Sequence, residues 1–464
     1  MFRKPYSEIR NPQPVHNSQF TIHNSQFTIL FLALFLFALI HLLLPRAETP
    51  LRRSGLAGLA ETAVFTNNLI LRDYQIASRT LAADDALLIT ATWQAGGEVD
   101  RAYRDTVRLI GPDGNLWSEK TAVAPRVFRA AGPTQTWPAN QYAESQHLLE
   151  PLPGTPPGTY RIELILFDKE TLATAPTTDG RLTLDLGTVQ VTRPRQAARP
   201  TAQYNADFAW GDVRLTGYSL DRAAAAPGDP FLLTLIWQAD AAPDANYLAR
   251  LSLLAADGRA AFQLDLPPVR ADFPTGQWQA GDVWRGQHSF RLPVDLASGD
   301  YHWQLTLCDD QCRAPIADLG ALTITAPDRL FTTPPLDIPL NAQFNTLTTL
   351  LGVNFTPGLP VSLTPTLIWR AETETPTSYR VFVHLVDEAG QIVAQSDGEP
   401  AGWTRPTTGW LPDEIILDAH TLDLSSVPPG VYQINVGLYD PVGGGRVPLP
   451  DGATAVTIPN ITIP

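Results

Sequence analysis

Residues 367–371, Leu367-Ile368-Trp369-Arg370-Ala371, and residues 379–387, Tyr379-Arg380-Val381-Phe382-Val383-His384-Leu385-Val386-Asp387, decide how this chain folds. In the second stretch Tyr379, Val381, Val383 and Leu385 point one way, and Arg380, Phe382, His384 and Val386 the other. That period of two is the signature of a half-buried antiparallel strand. The first stretch is an apolar run closed by a Trp, with a Tyr ten residues on. Both landmarks occur twice more upstream. Ala91-Thr92-Trp93-Gln94-Ala95 precedes Tyr103, and Leu235-Ile236-Trp237-Gln238-Ala239 precedes Tyr247, each at the same ten-residue spacing.

Further landmarks keep step through all three copies. Eleven residues past each Tyr stands a turn glycine, Gly114, Gly258 or Gly390. Then comes Pro-Thr-x-x-Trp, ending at Trp137, Trp278 and Trp410, with His147, His288 and His420 ten residues later. A Gly-x-Tyr follows at Tyr160, Tyr301 and Tyr432, and an Asp eight residues beyond it, at Asp168, Asp309 and Asp440. A set of landmarks repeated three times at fixed spacing is an internal repeat. Turn signals divide each copy into about seven or eight strands, and no stretch after residue 60 has a helical period. The reading is an all-β chain of three tandem antiparallel β-sandwiches, immunoglobulin-like or fibronectin-III-like. The expected limits are 64–192, 203–326 and 341–464, with linkers at 193–202 and 327–340. Proline-rich linkers are semi-rigid, so an extended stalk is expected.

The chain begins with a tail, 1–26, followed by an apolar run from Phe27 to Leu44 broken only by Thr28 and His41. A run of that length reads as one transmembrane signal anchor over 27–45, with a linker at 46–63; removal as a signal peptide is the alternative. Basic residues flank the run on both sides, so charge does not fix its orientation. His-Asn-Ser-Gln-Phe-Thr-Ile occurs twice, at 16–22 and 23–29, and reads as a duplication in the coding DNA. The net charge is −14, and residues 51–464 carry 29 basic against 45 acidic residues. An exterior of that sign repels phosphate backbones and excludes nucleic acid as a partner.

Cys308 and Cys312 are the two cysteines. Redox motifs use C-x-x-C, and a zinc site needs two more ligands nearby. The sequence here reads strand, tight turn, strand, which faces the two thiols across a hairpin and favours a disulfide in an oxidising compartment. With the fold class, this places the bulk of the chain outside the cytoplasm of a bacterial cell.

Tyr379–Asp387, Pro406-Thr407-Thr408-Gly409-Trp410 and Pro428-Pro429-Gly430-Val431-Tyr432 through Asp440 resemble the β-sandwich domains appended to bacterial membrane glycosyltransferases of the dolichyl-phosphate-mannose type. The resemblance implies an extracytoplasmic accessory domain. The multi-pass catalytic region of those enzymes is absent, so no catalytic residue carries over.

The recurring Trp93, Trp237, Trp369, Trp137, Trp278 and Trp410, with Tyr160, Tyr301 and Tyr432, read as framework, since each copy keeps them. Trp117, Trp210, Trp284 and Trp403 do not recur and are the candidates for a surface aromatic that stacks on a sugar ring. The repeated His reads as structural; His384 with Asp387 or Asp418 is the pairing to check. Asp168, Asp309 and Asp440 are expected to cap turns. No G-x-S-x-G, H-E-x-x-H or P-loop occurs. No catalytic residue, metal or cofactor is expected. The leading reading is a non-catalytic structural, adhesive or scaffolding stalk and the alternative a carbohydrate-binding array, with an envelope glycan or another envelope protein as partner; a hydrolase with an unrecognised site is the weakest of three.

Overall fold

A computed structural model describes residues 62–122, 133–140, 142–356 and 361–463. The expected tail and anchor, 1–45, and all but the last two residues of the linker at 46–63, lie outside these. Among the described residues no helix is long and apolar enough to cross a membrane.

The chain is nearly all β. The first copy has β1 (Ala63–Val64), β2 (Leu69–Ile76), β3 (Thr80–Ala82), β4 (Leu87–Ala95), β5 (Tyr103–Ile110), β6 (Leu116–Thr121), β7 (Tyr142–Leu149), β8 (Gly158–Asp168) and β9 (Leu184–Thr192). One sheet runs β1-β2-β4-β7 and the other β3-β9-β8-β5-β6. The second copy has β10 (Tyr204–Trp210), β11 (Val213–Leu220), β12 (Ala224–Ala225), β13 (Pro230–Ala239), β14 (Leu248–Ala255), β15 (Ala260–Leu266), β16 (Val283–Arg291), β17 (Gly299–Cys308) and β18 (Ala317–Ile324). Its sheets, β10-β11-β13-β16 and β12-β18-β17-β14-β15, repeat the same path. The third copy has β19 (Ile338–Phe344), β20 (Thr348–Thr356), β21 (Ser362–Ala371), β22 (Arg380–Val386), β23 (Ile392–Gly398), β24 (Ile415–Ala419), β25 (Leu422–Asp423), β26 (Gly430–Tyr439) and β27 (Val456–Ile463). Here the sheets are β19-β20-β21-β24, with β25 on β21, and β23-β22-β26-β27. β19 opens at Ile338, three residues ahead of the expected start, and carries Pro339. As an edge strand it tolerates that missing N–H.

Each pair of sheets encloses one core. In the first, Leu71, Ile89 and Trp93 of one sheet meet Val107, Tyr160, Leu164 and Val189 of the other. The second and third cores are built at the matching positions. The first Trp of every copy stands opposite a β-bulge: the register slips after Leu71↔Trp93, Leu215↔Trp237 and Leu350↔Trp369. A bulge sharpens the local twist, and here it does so beside the largest side chain of the core.

The other landmarks have equally local reasons. The Thr of Pro-Thr-x-x-Trp is buried and bonds twice. Thr275 Oγ1 donates to the Ala245 carbonyl at 2.7 Å and accepts from Tyr247 N–H at 2.9 Å. Thr134 does the same with Arg101 and Tyr103, and Thr407 with Thr377 and Tyr379. The motif thus stitches a 3₁₀ turn to the strand that starts at or one residue after the landmark Tyr. The Gly-x-Tyr hydroxyl reaches back four residues, from Tyr160 to the Pro156 carbonyl, Tyr301 to Ala297 and Tyr432 to Pro428. The Asp eight residues later accepts from the turn beyond it: Asp168 Oδ1 from Glu170 N–H, Asp309 from Gln311 and Asp440 from Val442. Cys308 and Cys312 are joined across their hairpin, with Cα atoms 3.9 Å apart.

Candidate functional site

Of the four non-recurring tryptophans, three belong to the core. Trp117 is 0% exposed and Trp210 and Trp284 are each 1% exposed, so none can offer a ring to a ligand. Trp117 packs edge-on against Tyr160 at 6.1 Å, Trp284 edge-on against Phe273 at 5.1 Å, and Trp210 donates to the Pro315 carbonyl at 2.7 Å. Their positions are inward ones on the alternating strands, which outweighs their failure to recur. Trp403 is the exception, at 57% exposed.

Trp93, Trp237 and Trp369 meet buried polar surroundings that differ between copies. In the first, Trp93 Nε1 donates to Ser145 Oγ at 3.0 Å and to Asp105 Oδ2 at 3.3 Å, and His147 Nε2 meets the same oxygen at 2.9 Å. Ser145 donates to Asp105 Oδ2 as well. In the third, Asp418 Oδ2 accepts from Trp369 Nε1 at 3.2 Å and meets His420 Nε2 at 3.0 Å. The second copy has Ala249 where the first has Asp105, and Gly286 where the third has Asp418. There Trp237 Nε1 is buried without a partner, and His288 Nε2 meets only the Pro268 carbonyl, at 3.2 Å. Burial accordingly lowers the His288 pKa to about 4. Burial opposes the charge on His147 too, but the Asp105 carboxylate outweighs it and raises that pKa. A pairing of His384 with Asp387 or Asp418 is not formed: His384 lies 3.4 Å from Asp397 on the neighbouring strand, and Asp418 serves His420.

A Ser, a His and an Asp within hydrogen-bonding reach invite comparison with a nucleophile and its base. In a nucleophilic site the base bonds the hydroxyl. Here Ser145 and His147 both bond to Asp105 instead, and Ser145 and His147 are 0% exposed. The network ties two sheets together and opens to nothing. Among the described residues no group of three or more His, Cys, Asp or Glu could hold a metal ion.

The linkers are pinned, not free spacers, and both are pinned the same way. Arg193 donates to the Gln277 carbonyl at 2.6 Å and pairs with Asp282 at 2.5 Å. Arg329 donates to the Gly409 carbonyl at 3.1 Å and pairs with Glu414 at 2.5 Å. Gln277 and Gly409 hold the same place in Pro-Thr-x-x-Trp, and Asp282 and Glu414 each stand four residues past its Trp. The first copy has Gln141 at that position. Arg329 also donates to Val294 of the preceding sandwich at 2.6 Å. Between the first and second sandwiches, Arg270, itself 3% exposed, donates to Tyr160 Oη at 2.6 Å and to the Pro157 carbonyl at 2.8 Å. Asn115 and Gln287 exchange bonds across the same junction, to the Gln287 and Leu116 carbonyls. Sequence reading missed these latches because they join residues 35 or more positions apart. An acid four residues past Trp278 and Trp410, but not past Trp137, was the available signal.

No known protein family and no curated protein matches this sequence. Among solved structures, a mutant alpha-2-macroglobulin from Salmonella overlaps 88% of this chain at 11% identity and a TM-score of 0.17. Red sea bream transglutaminase overlaps 56% at 10% identity and the same TM-score. The chain spans 24% and 31% of those two proteins' lengths.

Proposed function

We propose that this protein is a non-catalytic scaffold of the bacterial cell envelope. In this reading the segment 27–45 anchors it in the membrane, and three immunoglobulin-like sandwiches outside the cytoplasm hold a partner at a set position. The repeated arginine latch carries the reading, because a chain evolved only to tether needs no matching lock at both junctions. Charge-assisted bonds of this kind resist bending far better than proline content alone. The tyrosine hydroxyl ties support the immunoglobulin-like class, in which such a corner is a hallmark. The disulfide supports an oxidising compartment.

Single-molecule energy transfer between dyes on the first and third sandwiches of the full chain tests it. A single narrow distance is expected, broadening when Arg193→Ala and Arg329→Ala are combined. A broad distribution in the unaltered chain would sink the scaffold reading. A second reading, carbohydrate binding, is favoured by one observation, the exposed indole of Trp403.

A further inference from the structure

The outer face of the sheet β23-β22-β26-β27 in the third sandwich collects polar, charged and aromatic side chains, among them the His384–Asp397 pair at 3.4 Å. Arg380 pairs with Tyr439 across β22 and β26, and Tyr439 bridges to Arg446 beyond it, so the three form one row on one face. Adjacent strands lie about 4.8 Å apart, which separates the two arginine backbones by about 10 Å. Two residues along β22, Phe382 lies over Gly437, where a Cβ would come within 2.4 Å of its ring. A further two residues along stand His384, Gln395 and Asn435, with Thr457 paired to Asn435.

Both arginines stack on aromatic rings and neither is neutralised. The Arg380 guanidinium lies 5.0 Å from the Trp403 ring centre, and that of Arg446 lies 4.3 Å from Phe382. Among the described residues neither has a carboxylate at salt-bridge distance, whereas Arg370 and Arg405 pair with Glu372 and Glu414. Arg380 Nε is buried with no hydrogen-bond partner. In a chain carrying 47 acidic and 33 basic residues, two guanidinium groups on one face without a carboxylate partner are conspicuous. An unsatisfied buried donor costs stability unless something else answers it.

Trp403 is held in a strained backbone by a tie to the core. It sits in the turn Pro400–Trp403, where Ala401, Gly402 and Trp403 have φ of 52°, 61° and 71°. Left-handed backbone is unfavourable for a bulky residue. Ala401 N–H donates at 2.7 Å to Asp418 Oδ1, the carboxylate whose other oxygen holds Trp369 and His420. The matching loop of the second copy carries Arg270, which is spent on the junction with the first sandwich. In the third copy the loop presents an indole instead.

We infer that this face binds a carboxylate-bearing polysaccharide, one built from uronic acid units. The indole supplies an apolar platform for a pyranose ring. The two guanidinium forks match ring carboxylates in geometry and charge. Gln395, Asn435 and Thr457 supply donors and acceptors for hydroxyls. A neutral glycan would leave both arginines unanswered. This site rests on the carbohydrate reading and narrows it, and it is independent of the scaffold reading.

Calorimetric titration of the full chain with polygalacturonate and alginate oligosaccharides, alongside dextran oligosaccharides, tests it. Uronate oligomers are expected to bind, more weakly as salt rises. Trp403→Ala and Arg446→Gln should each weaken binding about tenfold, the loss of one good contact. Arg446 is exposed, so its variant carries the test should Trp403→Ala disturb the turn. Binding of dextran equal to that of uronates would overturn the uronate assignment but leave carbohydrate binding standing. No binding of any of the three would overturn both. Uronate binding unchanged in Arg446→Gln and Arg380→Gln would overturn the placement on this face.

Discussion

At Trp93, Trp237 and Trp369 the same indole meets three different surroundings. Trp369 Nε1 donates to a buried carboxylate, whereas Trp237 Nε1 has no partner. Trp369→Phe should therefore cost about 2 kcal/mol more than Trp237→Phe, the difference between stripping a charged acceptor and stripping nothing. Denaturant unfolding of the two variants, followed for the affected sandwich, checks this. The histidines diverge likewise. His288 is lowered to about 4 in the fold, below its ordinary 6.5. The folded state thus favours the neutral ring. Its contribution is fully present above about pH 6.5 and is lost as pH falls through 4, roughly 3 kcal/mol in all. The His147 pKa is raised, and its contribution has the opposite sign, present below pH 6.5 and lost as pH rises through the folded pKa. Melting temperatures between pH 4 and 6.5 should fall less steeply in His288→Gln than in the unaltered chain. An equal slope would refute the assignment.

At the scale of the element, the Pro-Thr-x-x-Trp turn is where one hydroxyl fixes a strand. Thr275 is 0% exposed and answers both a carbonyl and an amide. Thr275→Val preserves shape and removes both bonds, at about 2 kcal/mol, while Thr275→Ser keeps the hydroxyl and should cost clearly less. Hydrogen exchange at Tyr247 N–H reports the loss directly. The β17 hairpin is closed by Cys308 and Cys312, four residues apart. So short a loop limits the entropy that the bond removes from the unfolded chain. Replacing both cysteines by Ser should cost no more than about 2 kcal/mol, measured as a shift in the unfolding midpoint.

Across the whole molecule, the two latches are alike in design and unlike in burial. Glu414 is 0% exposed and accepts from both Arg329 and Arg405, whereas Asp282 is 15% exposed at its side chain and Arg193 is 30% exposed. Arg329→Met should cost about 3 kcal/mol, because it leaves a buried carboxylate half answered. Arg193→Met should cost about 1 kcal/mol, since water can reach Asp282. Limited proteolysis should then cut the second linker in Arg329→Met well before the first linker in Arg193→Met; the reverse order would contradict the burial argument.

The sequence by itself determined the repeat, the strand alternation and the turn chemistry, because these are local. A period of two, a turn glycine, an Asp that caps its own turn and a cysteine pair across a hairpin all act within about a dozen positions. It also marked Trp93, Trp237 and Trp369 as framework, since one inward position recurs in every copy. Tertiary structure alone decided which tryptophans face solvent. Trp117, Trp210 and Trp284 look like Trp403 in that none recurs, yet strand orientation buries three and a left-handed turn exposes the fourth. It alone decided that Asp105 and Asp418, which stand at different offsets in their copies, meet the same indole and imidazole. It alone joined Arg193 to Asp282 and Arg329 to Glu414, because a charge pair depends on distance in space and leaves no period in the chain.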